Sequence, residues 1–162
     1  MKDFQSETIP NVGIVLEVIT FDELIGEIPK ALTLQDNWKI TASSTALQGV
    51  GSTKDPSYAF SFKGWKTDGA QEAGMWFQVE LPKERNLTEL QFNSGDKEYP
   101  RKYKVSISSD GKAWTDVATG EGVKGMNTIH WNADNPARFL KIETLDKAEE
   151  PWAMKQLVLL AR

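Results

Sequence analysis

The sequence contains no cysteine and only one histidine among its 162 residues. The missing cysteine excludes disulfide scaffolds, thiolate zinc sites, iron–sulfur clusters and cysteine nucleophiles. One histidine cannot supply a metal site that needs several imidazoles from a single chain. No run approaches about 18 consecutive apolar residues, so no segment is predicted to insert into a membrane. These absences exclude most metal chemistry and much of catalysis.

Basic residues are fewer than acidic ones, 19 against 23, which gives a net charge of −4. This balance gives no reason to expect nucleic acid or an anionic membrane as a partner. Residues 1–37 carry two lysines against seven acids, whereas residues 38–162 carry 17 bases and 16 acids. The acidity therefore belongs to the N-terminal segment. The first residues lack the apolar run of a secretory signal, so we expect either a cytosolic protein or a mature or excised piece of a longer one.

What the chain does contain is six tryptophans and an apolar fraction of 40%. A chain of this length can form one domain that hides roughly 70% of the surface its unfolded state exposes. The tryptophans therefore indicate a packed core, a stacking surface, or both.

Apolar and polar residues alternate along most of the chain, which is typical of half-buried strands. The predicted strands are residues 38–42, 75–81, 87–92, 103–107, 113–118, 128–131, 137–144 and 153–161. A tight hairpin is predicted at 109–112, where Asp110 and Gly111 suit a positive φ. At most a turn or two of helix is expected, at 21–24 or 31–36. The pattern predicts an all-β protein, an antiparallel β-sandwich.

The first 30 residues have a different sequence pattern from the rest of the chain. Residues 14–19 form a good strand pattern, but Pro10 and Pro29 bracket a piece too short to fold alone. We predict a linker with an edge strand, or the tail of a preceding domain, followed by one sandwich domain at 31–162.

Two patterns that suggest catalysis or cofactor binding have simpler explanations. Residues 120–125 match G-x-G-x-x-G, but a strand follows them instead of the helix that a dinucleotide site requires, so we predict a flexible hairpin. His130 lies in strand-like sequence and is predicted to be structural or exposed. We predict no enzyme, although counting acids does not exclude a glycosidase-like carboxylate pair.

An ordered series of motifs covers most of residues 31–162. They read NWKITASS at 37–44, WKT at 65–67, GMWFQVEL at 74–81, YPRKYKVS at 99–106, SDGKAW at 109–114, ARFLKI at 137–142 and WAMKQL at 152–157. In this order they resemble the discoidin or coagulation-factor V/VIII type C domain family, and most of all bacterial carbohydrate-binding modules of family 32. The resemblance implies a galactose-binding-like jelly roll in which Trp38, Trp65, Trp76 and Trp114 belong to the scaffold.

The resemblance also implies a function. We expect a non-catalytic carbohydrate-binding module without cofactors, appended to a larger secreted or cell-envelope bacterial protein. Its partners would be a glycan and neighbouring domains, and its location extracellular, periplasmic or at the cell surface. The alternative is an interaction or structural domain of the same fold, with the acidic residues 1–37 as a docking surface.

Sugar sites in this family lie in loops at one end of the sandwich, which correspond here to 44–57, 93–99 and 145–152. By analogy, Tyr99 and Trp152 are the candidate stacking platforms. The candidate partners for sugar hydroxyls are Asn93, Asp96, Glu98, Asp146 and Glu150.

The chain departs from the family at its structural calcium site. Ser61 stands where the first aspartate of an Ala-x-Asp-Gly-Asp turn is expected, and Gln156 replaces a late glutamate. Lys63 also lies two positions after Ser61. Because calcium requires several oxygen ligands including carboxylates, we predict that this site is lost or much weakened, and we assign no metal ligands.

Overall fold

A computed structural model describes residues 28–47, 54–132 and 135–162. The strand predicted at 14–19 and the helical turn predicted at 21–24 lie outside these residues. The predicted domain boundary between residues 30 and 31 falls within the first described strand, which spans Lys30–Ala31.

The regular secondary structure of the described chain consists almost entirely of strands. They are β1 (Lys30–Ala31), β2 (Lys39–Ala42), β3 (Trp65–Lys66), β4 (Trp76–Arg85), β5 (Leu87–Asn93), β6 (Tyr103–Ser108), β7 (Thr115–Gly120), β8 (Met126–His130), β9 (Ala137–Thr144) and β10 (Ala153–Ala161). One short 3-10 helix spans Pro56–Phe60. Among these residues no helix has the length and apolar character needed to cross a bilayer.

The strands form two antiparallel sheets. The first has the order β1-β10-β5-β8 with β3 also paired to β10, and the second has the order β2-β4-β9-β6-β7. The prediction of an antiparallel β-sandwich is therefore confirmed. The alternation explains the packing: Phe77 and Val79 are buried, and their register partners in β9 are Ile142 and Leu140, also buried.

Aromatic rings fill one end of the core. Trp65 packs edge-to-face on Trp152 with ring centroids 4.9 Å apart, and it lies 5.0 Å from the Phe77 ring. The Trp65 indole Nε1 donates to Thr45 Oγ1 at 3.1 Å, so this buried ring has its polar atom satisfied. Trp38 is half-buried and meets Phe60 edge-on. Trp131 is also buried.

Two local predictions were wrong. Residues 31–36 form no helix, because Ala31 belongs to β1 and the Leu32 amide continues the pairing by donating to Leu159 O. Residues 120–125 are not a hairpin, since β7 and β8 belong to different sheets and the segment crosses between them. Glycine is required in this crossing: a Cβ on Gly122 would lie 2.1 Å from the Pro100 carbonyl oxygen.

The hairpin predicted at 109–112 is confirmed, and it joins β6 to β7. Asp110 Oδ1 accepts hydrogen bonds from the amides of Lys112 and Ala113, while Gly111 adopts φ +78°. These backbone donors hold the pKa of Asp110 below its usual range. Trp114 follows the turn and packs edge-on against Phe139.

Candidate functional site

The antiparallel pairing brings several loops to one end of the sandwich. Asn93 at the end of β5 pairs with Lys155 near the start of β10, and Thr144 at the end of β9 pairs with Tyr103 at the start of β6. The described parts of these loops, which we call the loop end, are residues 43–47, 61–75, 93–102, 120–125 and 145–152. Of the loops selected from the sequence, residues 44–47, 93–99 and 145–152 therefore share one end.

Gln71 joins three of these loops. Its side chain is 1% exposed; Nε2 donates to Tyr99 O at 3.1 Å, and Oε1 accepts from the Arg101 amide at 2.9 Å. Its backbone amide donates to Glu150 O, and its carbonyl accepts from the Ala148 amide. Since buried polar groups need partners, this one residue fixes the position of the Tyr99–Arg101 segment relative to the 145–152 loop.

Tyr99, Arg101 and Glu150 form a contiguous group that we call the tyrosine cluster. The Arg101 guanidinium lies 4.0 Å from the Tyr99 ring centroid and donates to Glu150 Oε2 at 3.1 Å. The same guanidinium donates to the Lys97 and Tyr99 carbonyls. Arg101 thus covers part of the half-buried tyrosine ring and holds it in one orientation.

Beside the tyrosine cluster lies a groove of about 400 Å³. We call it the lysine groove; its charged and amide-bearing lining residues are Lys63, Lys66, Asn93, Glu98 and Lys155. The wall residues come from three segments of chain, and Leu47 adds an exposed apolar side chain. Two hydrogen bonds join the walls: the Ala153 amide donates to Glu98 O, and the Ser94 side-chain Oγ donates to Ala153 O.

The structure separates the predicted site residues into groups. Tyr99 and Glu150 are joined through Arg101, and Asn93 and Glu98 line the lysine groove. Asp96 is exposed and lies on the loop between Asn93 and Glu98. Asp146 Oδ1 accepts from the next amide, that of Lys147, and among the described residues no hydrogen bond or ion pair joins it to the other candidates.

Trp152 requires a correction. Its side chain is 0% exposed and packs against Trp65, so it belongs to the core and offers no surface on which a sugar could stack. Its backbone is also held: the Trp152 amide donates to Thr67 Oγ1 and the Thr67 amide donates to Trp152 O. Trp152 ends the 145–152 loop that was selected by analogy with the family, but its ring packs inward against Trp65.

Several residues of the loop end were not selected from the sequence. Arg101 and Gln71 carry the tyrosine cluster, and Lys66 and Lys155 line the groove. Phe62, which directly precedes Lys63, is 82% exposed. Lys66, Arg101 and Lys155 lie within the family motifs, whereas Phe62 and Gln71 do not. No local pattern distinguishes any of the five as a site residue, since their positions depend on contacts between distant segments.

The two positions that depart from the family's calcium site are neighbours in space. The Gln156 amide donates to Ser61 O at 3.0 Å, and Ser61 Oγ donates to Tyr58 O at 2.8 Å. Gln156 has φ 52° at a register irregularity of β10, which turns it towards the 61–64 turn. Within the described chain no three acids or histidines are grouped as metal ligands require.

We expect calcium to leave the stability of this protein unchanged. An ion that binds only the folded state stabilises it by about 2.7 kcal/mol at one hundred times its Kd. Here an amide and a hydroxyl replace two carboxylates, and Lys63 and Lys155 place positive charge beside them. Thermal melts in calcium chloride and in EDTA should therefore superimpose. A higher melting temperature in calcium would overturn this prediction.

Comparison with known proteins gives one family and a group of similar folds. The sequence model of the F5/8 type C domain matches residues 37–156. No curated protein sequence matches the chain significantly.

The solved structures are similar in fold at low sequence identity. The family 32 carbohydrate-binding module of NanJ from Clostridium perfringens, in complex with galactose, has a TM-score of 0.66 at 20% identity and covers 82% of this chain and 99% of that one. CpGH89CBM32-5 from Clostridium perfringens, in complex with GalNAc-β-1,3-galactose, has a TM-score of 0.66 at 21% identity. The match covers 80% of this chain and 99% of that one. Chitosan-binding module 1 of a chitosanase/glucanase from Paenibacillus sp. IK-5 has a TM-score of 0.63 at 22% identity. The match covers 76% of this chain and 94% of that one.

Proposed function

The chain belongs to the F5/8 type C domain family, and from that premise we propose that it is a non-catalytic carbohydrate-binding module. The match to the family model over residues 37–156 is the observation that carries this proposal. Structures of similar fold that were solved with galactose or GalNAc-β-1,3-galactose support it. We further propose that the module is part of a longer secreted or cell-surface bacterial protein.

The loop end has the chemical groups that a shallow glycan site uses. A sugar can lay its C–H face on an aromatic ring while hydroxyls exchange hydrogen bonds with charged or amide side chains. In the tyrosine cluster the ring of Tyr99 provides the apolar surface, Arg101 provides donors and Glu150 provides acceptors. These groups are already held together, so binding requires little ordering of side chains.

A single site of this kind is shallow and binds weakly. Several copies attached to one parent protein, or several sugar units on one polymer, would raise the effective affinity without any new contact. The function is then attachment of the parent protein to a glycan surface, and it needs no covalent step. Incubation of the isolated domain with aryl glycosides should release no product.

We expect Tyr99→Ala to weaken glycan binding about fivefold, because it removes the stacking surface. Calorimetry against a panel of galactose-, N-acetylgalactosamine- and glucosamine-containing oligosaccharides identifies the glycan first. The same titration then compares the parent protein with Tyr99→Ala and with Glu150→Gln, which weakens the acceptor while keeping the shape.

The matched control is Trp114→Ala, because this half-buried aromatic lies after the β6–β7 hairpin, at the opposite end of the sandwich. It should bind the glycan as tightly as the parent protein does. Circular dichroism and thermal melts verify that each variant is folded. A panel on which no glycan binds, or equal losses in Tyr99→Ala and Trp114→Ala, would contradict the proposed site.

A further inference from the structure

The lysine groove concentrates positive charge that nothing in the described chain neutralises. Lys63, Lys66 and Lys155 line it, against the single carboxylate of Glu98. The ion pairs between described residues involve Lys39, Lys104, Arg101 and Arg138 but none of the three groove lysines. The main body of the chain is almost neutral, with 17 bases and 16 acids at 38–162, so this local excess is not a property of the whole surface.

The backbone holds the walls of the groove in place. Gly64 has φ +78°, and a Cβ at this position would lie 2.9 Å from Lys155 Cβ, so the first wall approaches β10 closely. On the opposite wall the Ser94 amide donates to Gly125 O and the Gly125 amide donates to Gly95 O. The lysines therefore project from fixed backbone, and a ligand does not have to order the walls.

We propose that the lysine groove binds an anionic sugar unit, a uronate or a sulfated sugar, of the glycan that the loop end recognises. This inference rests on the proposed carbohydrate-binding function. The groove's volume of about 400 Å³ falls within the range of small-molecule sites. The Lys63 ammonium lies 5.5 Å from the Tyr58 ring centroid, and none of the three lysines has an ion-pair partner among the described residues. Three lysines that line one groove make its potential positive, which favours a carboxylate or sulfate there.

The other lining groups suit the neutral part of such a sugar. Asn93 Oδ1 is occupied by the Gly95 amide, which leaves its NH₂ group to donate to a hydroxyl. The Glu98 carboxylate accepts from hydroxyls, and the exposed Leu47 side chain offers an apolar contact for the C–H face. A bare inorganic anion would use the lysines and none of these groups, so the lining favours a sugar that carries the charge.

The test compares two ligands that have the same sugar rings but different charge. Trigalacturonate and its methyl ester have the same sugar rings, but the ester lacks the carboxylates. Calorimetry at low salt should show the ester binding about tenfold more weakly, the change expected for loss of a hydrogen bond to a charged group. An oligosaccharide of sulfated galactose forms a second arm, which tells a sulfate preference from a carboxylate preference.

The variants remove one positive charge each. Lys66→Gln and Lys155→Gln keep the aliphatic stem near the groove, and each should weaken the anionic ligand about tenfold while leaving the melting temperature unchanged. Lys112→Gln removes an exposed lysine at the other end of the sandwich and should bind like the parent protein. Increasing salt should weaken binding of the anionic ligand more than binding of any neutral glycan.

Each remaining outcome overturns one or both proposals. If the ester binds as tightly as the acid, or if the two groove variants bind like Lys112→Gln, the inference fails. If sodium sulfate competes as well as the sugar does at equal concentration, the groove is a general anion site and the inference about sugars fails. If neutral glycans bind, Tyr99→Ala abolishes that binding and no anionic ligand binds, the proposed function holds and the inference about the groove fails. If no glycan of either kind binds, both fail.

Discussion

Replacing Trp152 by alanine is expected to lower the free energy of unfolding by about 3–5 kcal/mol, the usual cost of removing a large aromatic side chain from a core. The ring is fully buried and meets Trp65 at 4.9 Å, and Trp65 in turn contacts Phe77. The substitution therefore leaves a cavity between the two sheets. Urea unfolding followed by far-UV circular dichroism measures the loss.

A second variant separates loss of packing from loss of a binding surface. Trp152→Phe keeps an aromatic ring at the contact with Trp65, so it should lose less stability than Trp152→Ala. It also deletes the indole Nε1, which is buried and has no hydrogen-bond partner among the described residues, so none of the hydrogen bonds described here is lost with it. A folded Trp152→Ala protein of unchanged stability that no longer binds glycan would restore Trp152 as a binding residue and contradict its assignment to the core.

The strands were predictable because one face of each sheet is buried. Alternation places every second residue of a strand on the same face, and Phe77 and Val79 show it in β4. This alternation of apolar and polar residues can be recognised from residues that are close together in the sequence. The 3-10 helix at Pro56–Phe60 carries a local signal as well, since Asp55 caps it by accepting from the Ser57 amide, but it was not recognised.

The candidate site was less predictable because its geometry depends on contacts between distant segments. Pro151 and Trp152 have the composition of a loop, yet reciprocal hydrogen bonds with Thr67 draw this segment into the core. Likewise the glycines at 120–125 resemble a hairpin locally, while their position between the two sheets is set by the pairing of β7 and β8 with different partners. The resemblance to a family predicted at which end of the sandwich the site lies. Which side chains reach the surface there is known only from the structure.

Gln71→Ala is expected to destabilise the protein by roughly 1–3 kcal/mol, because it leaves the Arg101 amide without its side-chain partner. A polar group left without a partner costs more than the net contribution of an ordinary hydrogen bond. The Tyr99 carbonyl loses the Gln71 donor as well, but it still accepts from the Arg101 guanidinium. Gln35→Ala is the matched control, since that side chain is exposed and its loss should change stability little.

The effect of Gln71→Ala should also be local, which distinguishes a positioning residue from one that merely fills space. The Arg101 amide donates to Gln71 Oε1, so its hydrogen exchange should accelerate in the variant more than exchange at amides within β4 or β9. Because the same segment carries Tyr99 and the guanidinium that covers it, glycan binding should weaken while the protein is still folded. Unchanged exchange at Arg101, together with unchanged stability, would show that the loop end is held by its backbone bonds to residues 148 and 150 alone.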